Sequence, residues 1–265
     1  MSPSIAAHAS ALAAGAIIGG MQALILAAGW ATRMGDLARA TPKHLLPIGT
    51  RCSLDFVVER LAAVDDMQQV HVITHDVFFP QFVDWAAAHD LAPRLTLHND
   101  QTTTEATKLG SIGDIKYFLD TAHPDDDLII VLGDNVFDFD LRPLAARAVS
   151  DIVVGLYDVE SLELATRYGI VELDDDDRIV SFVEKPEAPR STLAATGIYG
   201  FPRANLADFD AYLADGGSTD KFGSVMEWLH TRRRVIGQAF HGRWFDIGSP
   251  DEYERVNREF GGEAV

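Results

Sequence analysis

One cysteine, Cys52, in 265 residues excludes an internal disulfide and fits a reducing compartment, the cytoplasm. Lysine is nearly as scarce. Five lysines, Lys43, Lys108, Lys116, Lys185 and Lys221, stand against 40 acidic residues weighted towards Asp, and the formal net charge is −18. A surface of that sign lacks the basic patches through which proteins release counterions from nucleic acid or settle on an anionic membrane, so neither is an expected partner. No apolar run approaches the roughly 20 residues that span a bilayer. Neither G-x-G-x-x-G nor G-x-x-x-x-G-K-[ST] occurs, which removes the dinucleotide-dependent oxidoreductases and the P-loop kinases. The shortage of Lys beside the surplus of Asp suggests a surface adapted to a salt-rich cytosol, where carboxylates stay hydrated and their self-repulsion is screened. Unfolding midpoints that rise with molar salt would bear this out, and flat ones would refute it.

Residues 1–20, rich in Ala and Ser, end in a run that resembles a secretory leader but has no positively charged start. They are expected to be a loose extension, with Met21 opening the first core strand.

What the sequence does contain is concentrated first between Leu24 and Ile48. A short apolar run, Ala23 to Ala28, is bounded by Gly29 and followed by a loop carrying Arg33, Gly35 and Lys43, the pattern of a buried strand feeding a phosphate loop. Backbone N–H groups converge most easily where no Cβ intrudes, and such concavities bind anions. Arg33 adds a planar fork and Lys43 a movable point charge, a pair suited to a polyphosphate. With so acidic a chain, any anionic ligand must be met by a local pocket of this kind.

Ser53 to Val64 has amphipathic helical spacing, with Ser53 as N-cap. Val70 to Thr74 and Leu95 to Leu97 read as strands, separated by a helix from Phe78 to His89 whose core face is Phe79, Phe82, Val83 and Ala86. The alternation predicts a parallel sheet. Asn99 to Ile115 is polar and runs into a helix through Leu119; a loop there can read a ligand by hydrogen bonds or simply cap the helix. Asp127 to Leu132 is the most strand-like run and ends in Gly133-Asp134-Asn135. A carboxylate at the end of a central strand lies in the crevice where open α/β sheets bind ligands. Mg²⁺ takes only one or two carboxylates and fills its shell with phosphate and water, which makes Asp134 a candidate ligand; an Asx turn is the other reading. Asp138 and Asp140 are expected in turns or caps.

In the second half, Asp151 to Tyr157 reads as a strand and Tyr168 to Leu173 with Arg178 to Glu184 as a hairpin around the acidic tip Asp174 to Asp177. The tip lacks the spacing of an EF-hand and is expected to be a solvated turn. Lys185, before Pro186, is expected in extended conformation. Ala194 to Phe201 and Val235 to Phe240 are further strands, the latter preceded by Arg232, Arg233 and Arg234, which alternation assigns to the surface or to subunit contacts. Trp244 to Tyr253 leads into a last helix capped by Ser249 with Pro250 at its first position.

Seven segments occur in order between Met21 and about Phe260: L-A-A-G-x-x-T-R-M from Leu26, P-K-x-L-L-P-I from Pro42, G-D-N from Gly133, Y-G-x-V-E from Tyr168, E-K-P from Glu184, T-G-x-Y from Thr196 and W-x-D-x-G from Trp244. Together they resemble the signature of the sugar nucleotidyltransferases, also called nucleoside-diphosphate-sugar pyrophosphorylases. Ala31 departs from it, standing where many members have a second Gly. The resemblance implies an α/β fold with a mostly parallel central sheet of Rossmann-like type flanked by helices, over residues 21–265. A nucleotide-binding half, about 21–140, would precede a sugar-binding half, about 141–265, that contains antiparallel strands. It implies transfer of a nucleoside monophosphate from a nucleoside triphosphate to a sugar 1-phosphate, with Mg²⁺ held by Asp134 and Asp246. Arg33, Lys43 and Lys185 would be catalytic, and Leu26, Ala27, Gly29, Gln101 and Gly110 would bind nucleotide. Tyr168, Gly169, Glu184, Lys185, Thr196 and Tyr199 would bind the sugar phosphate. Little chain follows the last helix, so a catalytic core alone is expected. Base, sugar and homo-oligomerisation stay open, as do two other readings: transfer to another phosphorylated alcohol, and a non-catalytic regulator that binds nucleotide sugar.

Overall fold

Met21–Leu26 forms the first strand, β1, and is buried along nearly its whole length, as a strand covered on both faces must be. The computed structural model describes residues 20–89 and 94–262, so the expectation for the first 20 residues falls, but for Gly20, outside the described residues. After β1 come α1 (Ser53–Ala62), β2 (Met67–Thr74), α2 (Phe79–Ala87), β3 (Leu95–Asn99), α3 (Ser111–Ala122), β4 (Asp127–Leu132) and β5 (Asn135–Phe137). Then follow α4 (Arg142–Ala148), β6 (Ile152–Asp158), α5 (Leu162–Ala165), β7 (Gly169–Leu173), β8 (Ile179–Glu184) and β9 (Leu193–Phe201). The described chain closes with α6 (Asp208–Ala214), α7 (Phe222–Leu229), β10 (Val235–Ala239), β11 (Trp244–Asp246) and α8 (Pro250–Phe260).

Among the described residues one sheet of nine strands runs in the order β10-β6-β9-β4-β1-β2-β3, with the β7-β8 hairpin attached through β9. β3, β2, β1 and β4 are parallel, as are β6 and β10. Between these two parallel blocks β9 runs antiparallel to both β4 and β6. Side chains alternate across a strand, and the core follows that alternation. Ala23 and Ile25 pack with Val57, Val58 and Leu61 of α1 on one face. Leu24 and Leu26 pack with Ile112, Ile115 and Phe118 of α3 on the other. The mostly parallel sheet flanked by helices is the architecture expected from the sequence, and the antiparallel strands fall in its second half. No described helix is long and apolar enough to cross a membrane.

Two local expectations change, at the start of α1 and on α2, while the acidic tip and the three arginines lie at the surface as expected. Cys52, not Ser53, is the N-cap of α1: its N–H donates to Asp55 at 2.6 Å, and Ser53 is the first helical residue. The Ser53 hydroxyl is needed elsewhere, donating to the carbonyls of His44 at 3.1 Å and Gly133 at 2.8 Å. On α2 only Phe82 is buried, and Val83 is exposed, because the helix caps the sheet edge and offers it a narrow face. The acidic tip is an exposed turn closed by its own carboxylates: Asp174 accepts from the N–H groups of Asp176 and Arg178, and Asp177 pairs with Arg147 at 2.7 Å. The three arginines find carboxylates of their own chain, Arg232 at Asp215, Arg233 at Asp208 and Arg234 at Asp151.

Candidate functional site

The site is assembled where β1 and β4 end side by side. The Gly133 N–H donates to the Leu26 carbonyl at 2.9 Å, and a Cβ on Gly133 would stand 3.0 Å from that oxygen. Ser53, pinned between His44 and Gly133, joins the loop after β1 to the loop after β4. Lys43 and Asp134 are thereby brought into a salt bridge, and the Lys43 ammonium also donates to the Ile247 carbonyl at 3.2 Å. On the far side β5 pairs antiparallel with β11, placing Asp246 opposite Asn135, while the Ile247 N–H donates to the Asp134 carbonyl at 2.9 Å. Two sequence-distant carboxylates, Asp134 and Asp246, thus share one short stretch of backbone.

Their ionisation differs. Burial would push Asp134 up, but the Lys43 ammonium and its hydrogen bond hold it below the usual carboxylate range. Burial and then the charge of Asp134 push Asp246 up to about 6, against the Tyr168 hydroxyl, which donates to Asp246 Oδ1 at 3.0 Å. Among the described residues no group of three or more His, Cys, Asp or Glu side chains could hold a metal ion. Two hard oxygen ligands are nevertheless what Mg²⁺ uses when phosphates and water complete its shell, so the donor set fits that ion.

Two cavities meet here. One, of about 260 Å³, is walled by Leu26, Gly29, Trp30, Lys43, His44, Gly110 and Asp134 among others. The second, of about 290 Å³, contains every sugar-phosphate residue expected from the sequence, namely Tyr168, Gly169, Glu184, Lys185, Thr196 and Tyr199, together with Asp134 and Asp246. Ser111, Leu132, Asp134 and Asp220 line both.

The sugar-side residues reach this cavity through strand geometry. Gly169 opposes Glu184 in the hairpin, and a Cβ at Gly169 would meet the Phe182 ring at 2.7 Å. The Glu184 N–H donates to Glu227 at 2.8 Å, and burial raises the Glu184 carboxyl despite Lys185 beside it. The Thr196 hydroxyl donates to the Gly155 carbonyl at 3.0 Å, and Tyr199 stacks on Phe222 with centroids 3.9 Å apart. Lys185 is not extended: its φ is +50°, because its N–H closes the hairpin onto the Tyr168 carbonyl at 3.0 Å before the chain turns into Pro186. A non-glycine residue held at positive φ stores strain of the order of 1 kcal/mol or more.

Nucleotide-side expectations fare less evenly. Leu26, Gly29, Lys43 and Gly110 line their cavity. Ala27 stands behind it, with its N–H donating to Ile73 and its carbonyl accepting from Thr74. Gln101, at φ +65°, folds its amide back onto the Asn99 carbonyl and lies outside both cavity walls. Arg33 is exposed, with its guanidinium alongside Gly248 and no hydrogen bond or ion pair to a described residue. Ala31 adopts φ +50°, ψ +35°, the left-handed conformation that glycine takes without penalty.

The cavities also hold residues that the motifs did not single out. Trp30 stacks on His75 at 4.2 Å with its indole N–H unpartnered. His44 is kept neutral, its pKa lowered to about 3 by burial and the Lys43 charge. Arg167 and Lys221 line the sugar side, and Asp100 and Asp114 the nucleotide side. Positive charge next to Y-G and before an aromatic helix start was visible at Arg167 and Lys221; nothing local marked His44.

A glycine-bearing loop with Lys43 and a strand-walled cavity meet at a carboxylate pair on the carboxyl edge of an α/β sheet, where open sheets of this class bind ligands. The chain belongs to the nucleotidyl transferase family, whose profile matches residues 22–261. It is 27% identical over 239 residues to a protein of Sulfolobus acidocaldarius provisionally assigned as a mannose-1-phosphate guanyltransferase. It is 31% identical over 271 residues to glucose-1-phosphate adenylyltransferase 2 of Alkalilimnicola ehrlichii. Each alignment covers 90% of this chain, and the chain spans 63% of the length of either relative. The fold is shared with a Bacillus anthracis protein provisionally assigned as a glucose-1-phosphate thymidylyltransferase and crystallised with a sucrose. Its TM-score is 0.78 at 23% identity, covering 93% of this chain and 97% of that one.

Proposed function

We propose that this chain transfers a nucleoside monophosphate from a nucleoside triphosphate to a sugar 1-phosphate, releasing pyrophosphate. The observation that carries the reading is the meeting of the two cavities at Asp134: one is walled by the loop with Lys43, the other by Glu184 and Lys185. A phosphate oxygen of the sugar 1-phosphate forms a bond to the α-phosphorus, the bond from that phosphorus to the bridging oxygen breaks, and pyrophosphate leaves in line. No protein nucleophile is needed.

The work of the chain is then positioning and charge compensation. Two phosphate charges about 4 Å apart repel by roughly 4 kcal/mol at a partly buried site, and Asp134, Asp246 and Glu184 add negative charge of their own. Lys43 would move from Asp134 onto the triphosphate, Lys185 would draw in the attacking phosphate, and exposed Arg33 is free to fold over the leaving pyrophosphate. Asp134 and Asp246 would hold Mg²⁺, which supplies Lewis-acid stabilisation of the phosphates and offsets this excess. Glu184 and the backbone at Gly169 would take sugar hydroxyls. Small charged substrates and a buried free thiol at Cys52 suit the cytoplasm.

Pyrophosphate release on mixing each of four triphosphates with several hexose 1-phosphates, with Mg²⁺ and with chelator, tests the reading. Release from no combination would remove it. Release that survives chelator would remove the metal from it.

A further inference from the structure

The nucleotide cavity has an acidic end that the transfer chemistry does not use. Asp100, Glu105, Asp114 and Asp220 line it around Leu109 and Gly110. Of the two lysines in the same walls, Lys43 is engaged by Asp134 and Lys108 by Asp220 at 2.9 Å. Asp100 and Asp114 are each only 5% exposed. Asp100 Oδ1 is saturated, accepting from the N–H and the hydroxyl of Thr102 at 2.7 and 2.8 Å. Asp114, on the first turn of α3, has an Oδ1 that is buried without any partner. Burial, then the charge and hydrogen bond of Asp100, push Asp114 up to about 8. Near neutral pH Asp114 therefore keeps its proton, and its buried Oδ1 is left as an acceptor with nothing to accept from.

A buried acceptor in that state is destabilising until a donor reaches it. Phosphate oxygens only accept, and the acidic side chains at this end repel them, so the triphosphate belongs at the Lys43 end and the donor must come from the rest of the nucleotide. Nucleobase edges differ in what they offer. Guanine presents N1–H and N2–H₂ side by side; adenine and cytosine present one amino group beside a ring acceptor; uracil and thymine present N3–H flanked by two carbonyls, which a pair of carboxyls disfavours.

Building on the nucleotidyl-transfer reading above, we propose that Asp114, held in place by Asp100, reads the base of the triphosphate through a donor edge, with guanine the best matched base and uracil and thymine the worst. Gln101, the residue that the sequence put forward for this task, turns away from the cavity.

The test is calorimetric binding of GTP, ATP, CTP and UTP, each with Mg²⁺ and without sugar 1-phosphate, to the full chain and to Asp114→Asn and Asp114→Ala. The wild type is expected to hold GTP at least about tenfold tighter than UTP, with ATP and CTP between. In Asp114→Asn the amide N–H₂ can donate to Asp100 and leave Oδ1 as the cavity acceptor, so the preference should persist. In Asp114→Ala the GTP to UTP ratio should fall to within about twofold of unity while UTP binds no worse. A wild type that prefers UTP overturns the inference even if the Ala variant does not fold. An unchanged ratio in Asp114→Ala overturns it, and so does an equal loss for all four, which would make a ribose hydroxyl the donor. Binding of triphosphates without base preference sinks this inference alone, whereas binding of none sinks the transfer reading with it.

Discussion

The two cavities that meet at Asp134 are built by different means. On the proposed reading, the sugar side hangs on strands: Gly169 and Glu184 face each other in a ladder, Thr196 and Tyr199 lie along β9, and Asp246 ends β11. The nucleotide side hangs on irregular chain between β1 and α1 and between β3 and α3, with Ala31 and Gln101 both at positive φ. Strand walls hold side chains by pairing that repeats every two residues, so one anchored position aims its neighbours. Loop walls are aimed residue by residue by turn geometry. The first kind of wall tolerates little substitution at its contacts; strain collects where the chain turns, at Ala31 in the loop-built wall and at Lys185 where the hairpin ends.

Variants can break or sharpen this contrast. Lys43→Ala removes the ammonium that bridges Asp134 and Ile247 at the junction, and turnover should fall by about 10³-fold or more, read as pyrophosphate release; a loss under about tenfold would show that the two cavities do not work through it. Lys185→Ala should cost roughly 10²-fold in kcat/KM for the sugar 1-phosphate and leave triphosphate affinity within about twofold. Equal damage to both substrates would deny that the cavities are separable.

Gly223→Ala probes the strand-built wall by steric means alone. The new Cβ would stand 2.1 Å from Glu184 Oε2, so Glu184 must swing out of its place beside Gly169, and KM for the sugar 1-phosphate should rise by about tenfold or more. An unaltered KM would mean that Glu184 does not hold the sugar.

Acid should be felt at β2, one strand in from the edge of the sheet. Burial lowers His71 from its ordinary 6.5 to about 4, with His98 adding to the effect. Its folded pKa is depressed, so the unfolded chain takes up the proton first. The stability tied to neutral His71 is present above about 6.5 and is lost as pH falls towards 4. Urea unfolding should show the wild type losing about 2 kcal/mol more than His71→Gln between about pH 7 and pH 4.5. Parallel losses in the two proteins would mean that His71 is protonated in the fold. The smallest effect is expected at Ala31→Gly, which relieves a left-handed alanine. A gain of about 0.5 kcal/mol, or a degree or two in Tm, separates stored strain from a turn that Ala31 occupies at no cost.

The same contrast explains what could be read from the sequence. The central strands and the hairpin were legible because continuous apolar runs and the Y-G and E-K-P segments travel with strand pairing, which also brings the residues of those segments into one cavity. The conformation of Lys185 was not, since the rule for residues before proline was overridden by a hydrogen bond to Tyr168 that only the closed hairpin supplies. Gln101 lies outside the cavity walls because its side chain is captured by Asn99 two residues away, a local competition that a spacing rule does not weigh. His44 and Asp114 carried no local mark. Each becomes unusual only when the folded chain buries it.

The chain carries its own counter-ion for Asp134. Until phosphate oxygens are offered to Lys43, that ammonium occupies the carboxylate on which a divalent cation would be chelated, and the Ile247 carbonyl helps to keep it there. On the proposed reading, the triphosphate is what unlocks the carboxylate. Chelation becomes conditional on substrate, and a protein with no nucleotide aboard makes a poor scavenger of the free divalent ions around it.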